Sequence, residues 1–418
     1  MVDNAPGALR GYRVLDLCDD RGLFCGRILA DLGADVVQVE PPGGSRARRI
    51  GPFYHDLPHT EGGLFWQAYA ANKRSITLDL TTPDGHDLLL RLVAGAHFLI
   101  ESFGPGCMDS WGLGSNALQR ANPSLIMASV SPFGDSGPYS RFLADDIVLQ
   151  GMGGLMYPTG EPERPPVRVS APQAYLNASA EAAVGCLLAH CHREATGQGQ
   201  HVDVSAQQAM VWTLMDAQQT WDVNHVVLKR AGIDRLRGST GVRLRNLWRS
   251  QDGWVCYSLH GGPMGLASNR ALVSWMAERG SAPDFLKQYD WSVFDWGTVT
   301  QQEADRLYEP ISHFFLGHTK ETLYREARRR GFLLYPVLTI TEIVTNPQLA
   351  ARDFFSEVQP AVATGPLAFP GHFAKLSATP LAWRRPAPFL GEHNEDIYGG
   401  ELGLTRQRLA ALKAGGII

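Results

Sequence analysis

Apolar runs and helical spacings alternate along the first 130 residues. Arg13–Leu17 reads as a short apolar strand, Cys25–Leu32 as a helix-compatible segment, and Gly33–Glu40 as a second strand. Strand, helix and strand within about thirty residues make a βαβ unit, which requires a parallel sheet covered by helices. Ser75–Leu80, His97–Glu101 and Leu125–Val130 predict further strands. A helix over Gly85–Ala94 places leucines at 88, 89, 90 and 92. The pattern predicts an α/β fold, a Rossmann-like doubly wound parallel sheet that binds ligands outside the carboxyl ends of its strands.

Residues 178–193 predict an alanine-rich helix with Val184, Leu187 and Leu188 on its apolar face, broken by the glycines after Thr196. Gln208 to about Asp222 predicts a second helix that links to a segment of different character. Residues 225–330 are richer in Arg and Trp, and they open on a loop bearing Gly238 and Gly241. Leu247–Ser258 predicts a hairpin turning at Gln251–Gly253. We therefore expect a large domain over 1–224, a smaller α+β domain over 225–330, and a segment over 331–418 that returns to the large domain.

Composition narrows the class. The 418 residues are 44% hydrophobic and 19% charged, with net charge −4. No basic run invites nucleic acid or an anionic membrane, and no apolar stretch is long enough to span one. A cytoplasmic enzyme-like protein is expected. The six cysteines, at 18, 25, 107, 186, 191 and 256, form no CxxC pair, so neither zinc nor a disulfide framework is expected. The 13 histidines do not cluster, and we expect no metal and no resident cofactor. The turn after the first strand, Cys18–Gly26, contains no GxGxxG, which argues against a nicotinamide-dependent dehydrogenase.

Seven segments together are more specific. They are Leu9–Leu17, Leu29–Glu40, Asn72–Asp79, Ser102–Gly106, Ala121–Ile126, Gly134–Tyr139 and Phe389–Asn394. With the run from Arg164 through Arg193 to Val204, they resemble the family III CoA-transferases of the CaiB/BaiF type in order and spacing. The resemblance implies a dimer of interlocked, ring-like chains, with coenzyme A as a substrate. It also implies a nucleophilic aspartate at the position filled here by Tyr175. That carboxylate attacks an acyl-CoA thioester, and the resulting anhydride becomes an enzyme-bound CoA thioester that passes CoA to a second acid. A phenol cannot carry CoA on a carbonyl.

By the same resemblance, Arg21, Asn72, Lys73, Arg74, Ser102, Phe103 and Arg141 are candidate CoA contacts, and Gly238 and Gly241 belong to a loop that closes over the site. Ser110, Leu143 and Ser102 stand where relatives carry polar or cationic CoA contacts. Arg46, Arg48 and Arg49 form a basic patch suited to a phosphate, a partner's acids or solvent. Asp146 is the residual acid, but Asp145 precedes it where the racemases of the family have histidine, so two-base proton transfer is not expected. Two readings stay open. One is a non-catalytic subunit paired with an aspartate-bearing homologue, as in the succinyl-CoA:benzylsuccinate CoA-transferase type. The other is a self-sufficient CoA-transferase, homodimeric for example, that uses a different residue.

Overall fold

The structure is a computed structural model, and it describes residues 6–236, 241–360 and 362–418. Its contacts divide the chain into two compact units. The first comprises residues up to Gly153 with Val169–Thr213 and Pro347–Ile418, and the second comprises Gly154–Arg168 and Leu214–Asn346. The boundaries thus fall at 213/214 and 346/347, and a segment before the long helix joins the second unit.

Six parallel strands form the sheet of the first unit: β1 (Arg13–Asp16), β2 (Asp35–Glu40), β3 (Arg74–Thr77), β4 (Phe98–Glu101), β5 (Ile126–Ser131) and β6 (His201–Ser205). Their order is β3-β2-β1-β4-β5-β6. Val36, Val37 and Val39 of β2, and every residue of β4 and β5, are buried. Continuous runs of this kind belong to strands covered on both faces, which period-2 alternation would not serve. Leu15, Val37, Ile76 and Leu99 pack with Leu88, Leu89 and Leu92 of the helix Pro83–Val93 in one core cluster. Thr82 starts that helix by accepting from the Gly85 amide, with proline in the first turn.

The long helix spans Ala174–Thr196 and stops at Gly197, whose φ of 75° suits a residue without Cβ. The single helix expected from Gln208 to about Asp222 is two, Ala206–Trp212 and Met215–Asn224, and the strand β6 precedes them. In the second unit, β7 (Leu247–Ser250) and β8 (Gly253–Tyr257) form the expected hairpin, and Leu334–Pro336 adds a strand beside β8. Trp248 is buried there, edge-on to Tyr308 and Phe315, and its indole donates to the Tyr257 carbonyl. Among the described residues, no helix is long and apolar enough to cross a membrane, and no cluster of His, Cys, Asp or Glu is placed to hold a metal ion.

Candidate active site

Between β1 and β4 the sheet order reverses, the point at which open parallel sheets hold ligands in a crevice outside the carboxyl ends of the strands. The loops leaving β1 and β4 are tied together there. Ser102 Oγ accepts from the Asp19 amide at 3.0 Å and donates to Asp19 Oδ1 at 2.9 Å. Arg21 closes a two-pronged grip on the same carboxylate, Nε at 2.9 Å and Nη2 at 2.7 Å. Burial pushes Asp19 up, but the Arg21 hydrogen bonds and charge outweigh it and hold the carboxyl below its usual range. Arg46 grips Asp20 in the same way, at 2.7 and 2.8 Å. Arg21 and Ser102 therefore meet at the crevice, but each is already engaged with Asp19.

Tyr175 lies in the first turn of the long helix and is 7% exposed. Its phenol donates to the Ala144 carbonyl at 2.6 Å. Burial raises its pKa well above the phenol's ordinary value, helped by Asp19, Asp145 and Asp20 and opposed by Arg21. It is a neutral, hydrogen-bonded phenol. Ser179, one turn further along the helix, donates to the Arg21 carbonyl and fastens this turn to the crevice loop.

Asp146 is occupied as well. Its Oδ1 accepts from the Gln173 and Ala174 amides, each at 2.7 Å, and its Oδ2 accepts from Gln150 at 2.5 Å. Gln173 offers no side-chain cap of its own, so an acid 28 residues upstream of Ala174 caps the helix. Asp146→Ala is expected to lower stability by about 1–2 kcal/mol, read as a shift in the urea unfolding midpoint. An unchanged midpoint would remove the capping role.

The Asn72–Arg74 run does not lie open to phosphates as expected. Lys73 is fully buried, and its ammonium donates to Asp16 (2.6 Å), Leu23 O (2.8 Å) and Gln38 (3.1 Å), which uses all three protons. Asn72, at φ 67°, bonds Asp31 and the backbone of Ala382 and Arg384. Arg74 pairs with Asp35 and Glu401. Arg48 leaves the predicted basic patch too: it is buried between Glu40 and Glu61 and lies 3.9 Å over the Trp66 ring. Arg141 is exposed, next to Leu143 at 92% exposure, and Phe103 packs on Trp111. Gly241 has φ 67°, and Gly238 lies outside the described residues.

One ionisable group was not anticipated. Glu101, the last residue of β4, is 4% exposed, and burial pushes its carboxyl up to about 7 against the pull of Ser129 and the Phe103 amide. A raised folded-state pKa contributes stability below the ordinary value of 4.5 that is lost as pH rises through about 7. Glu101→Gln removes the buried charge. It is expected to match the native chain near pH 4.5 and to exceed it at pH 8 by about 3 kcal/mol. Unfolding midpoints at the two pH values test this, and an equal difference at both contradicts it.

Comparison with known proteins identifies the family. The sequence model of CoA-transferase family III matches residues 9–394. The chain is 31% identical to a subunit of succinyl-CoA:(R)-benzylsuccinate CoA-transferase from Thauera aromatica, over 92% of each chain. It is 32% identical to succinyl-CoA–D-citramalate CoA-transferase from Chloroflexus aurantiacus, over 99% of this chain and 98% of that one. A CaiB/BaiF family structure from Brucella suis superposes with a TM-score of 0.80 at 26% identity, covering 94% of this chain and 99% of the other. The chain belongs to CoA-transferase family III.

Proposed function

We propose that this chain is one subunit of a CoA-transferase that moves CoA between carboxylic acids, and that a homologous partner supplies the nucleophilic carboxylate. The observation that carries this reading is the Tyr175 phenol, buried, neutral and bonded to Ala144 O where a free carboxylate is needed. Asp146 offers no substitute, because backbone and side-chain donors fill both of its oxygens. Arg21 and Ser102 are likewise taken up by Asp19, which leaves the crevice with few free partners for CoA phosphates.

A partner is supported by exposed apolar surface. Val184 and Leu188 stand one turn apart on the long helix at 57% and 66% exposure, and Trp212 is 64% exposed. In the second unit, an open groove of ≈ 540 Å³ runs along Met215, Thr220 and Val223. Exposed apolar side chains of this kind are what a partner would cover. The Thauera relative is itself named as a subunit. Succinyl-CoA is the proposed donor, since both relatives carry it in their names, with an aromatic or dicarboxylic acid such as benzylsuccinate as acceptor. We place the complex in the cytoplasm, with no resident cofactor, metal, membrane or nucleic acid in its reaction.

The isolated chain is expected to transfer no CoA from succinyl-CoA to any of a panel of carboxylic acids. Turnover on the order of 1 per second or faster would favour a self-sufficient enzyme, homodimeric or monomeric, that uses another residue.

A further inference from the structure

Ionisable groups converge at the carboxyl ends of β4 and β5, beside the crevice. Glu101 Oε2 accepts from the Phe103 amide at 2.7 Å, across the first bend of the Ser102–Gly106 loop. On β5, Ser129 stands in register with Glu101, and its hydroxyl draws the carboxyl's pKa down against burial. Ser129 Oγ is also 2.9 Å from His201 Nε2, on β6. His201 lies 3.5 Å from Asp135, whose amide donates to both carboxylate oxygens of Asp203. A chain of polar contacts thus runs from the loop to a histidine whose side chain is 28% exposed. Other groups face it from each neighbouring element. Cys18, Asp19 and Arg21 come from the segment after β1, and Cys107 and Asp109 from the helix after the loop.

The chemistry of the chain follows from one hydroxyl proton. Ser129 donates to an ionised Glu101 while accepting from His201 Nε2–H. Once Glu101 gains a proton it donates to Ser129, whose own proton turns toward His201. The Phe103 amide meets a charged acceptor in the first state and a neutral one in the second, and charge-assisted bonds are roughly twice as strong. We propose that Glu101 is the positioning residue of the Ser102–Gly106 loop, and that proton exchange through Ser129 and His201 sets how firmly the loop is held. The link to ligand rests on the reading of Ser102 and Phe103 as facing CoA.

Hydrogen–deuterium exchange of the Phe103 amide in the full chain, corrected for intrinsic rates between about pH 5.5 and 8.5, tests the proposal. Protection should rise several-fold with a step near neutrality in the native chain and stay flat in Glu101→Gln. In His201→Ala the step should move by at least half a pH unit. A flat native profile, or a step that survives Glu101→Gln, overturns it. An unmoved step in His201→Ala removes the histidine from the chain. Calorimetric titration with coenzyme A at millimolar concentration separates the two readings. Affinity that follows the step supports both, whereas a loop step without an effect on CoA leaves the positioning role standing and contradicts a CoA-facing Ser102 and Phe103.

Discussion

Tyr175→Phe is expected to leave the turnover of a complex between this chain and an aspartate-bearing homologue within about twofold of the parent. Changing the partner's carboxylate to an amide should lower turnover by on the order of 10⁴-fold, the scale seen when a member of a covalent catalytic unit is removed. The asymmetry follows from the chemistry of each position. Removing the Tyr175 hydroxyl forfeits one hydrogen bond to Ala144, a net loss of about 1 kcal/mol in stability. It deletes no group able to hold an acyl carbonyl. The measurement is steady-state transfer from succinyl-CoA in the co-expressed complex, with both variants normalised to assembled protein. If Tyr175→Phe abolishes turnover while the partner's carboxylate is dispensable, the roles are reversed.

Lys73→Met is expected to destabilise the fold by about 3–5 kcal/mol, the largest stability effect predicted here. Both side chains of the Lys73–Asp16 pair have no exposure. Burial pushes Asp16 up and Lys73 pulls it back, so removing the ammonium leaves a buried carboxyl with Cys18 alone to donate to it. Gln38 and the Leu23 carbonyl lose their donor in the same step. Pairing the change with Asp16→Leu removes the orphaned carboxyl and should recover more than half of the loss. Denaturant titration of the two single variants and the double one measures the coupling directly. A single variant within 1 kcal/mol of the parent contradicts the buried pair.

The strands that form the sheet centre were legible because burial on both faces leaves a mostly apolar signature, unbroken in Phe98 to Ile100 and interrupted only by Gln38 in Val36 to Val39. β6 was not, since His201 and Asp203 interrupt its apolar residues and read as loop. Tyr175 stands out by spacing and resemblance, but the helix expected from 178 begins at Ala174 and includes it. What it bonds was hidden, because Ala144 lies 31 residues away. Lys73 and Arg74 were misplaced for the same reason. A basic pair at a strand entry suggests solvent until Asp16 and Asp35 are seen across the sheet, 57 and 39 residues distant. Glu101 sits in a strand signature where a lone acid carries no motif, and only its burial distinguishes it.

The helix cap supplied by Asp146 bears on whether the chain's chemistry is reversible. Segment 144–146 reaches the first turn of the long helix twice, through the Ala144 carbonyl to Tyr175 and through the Asp146 carboxylate to Gln173 and Ala174. An aspartate restored at 175 would be too short to span the phenol's reach, and it would present an acceptor to a carbonyl that needs a donor. Burial would also disfavour its charge, and the fields of Asp19, Asp145 and Asp20 would add to that against the opposing pull of Arg21. The surroundings of residue 175 are thus matched to a phenol, and a Tyr175→Asp change alone would not place a free carboxylate there.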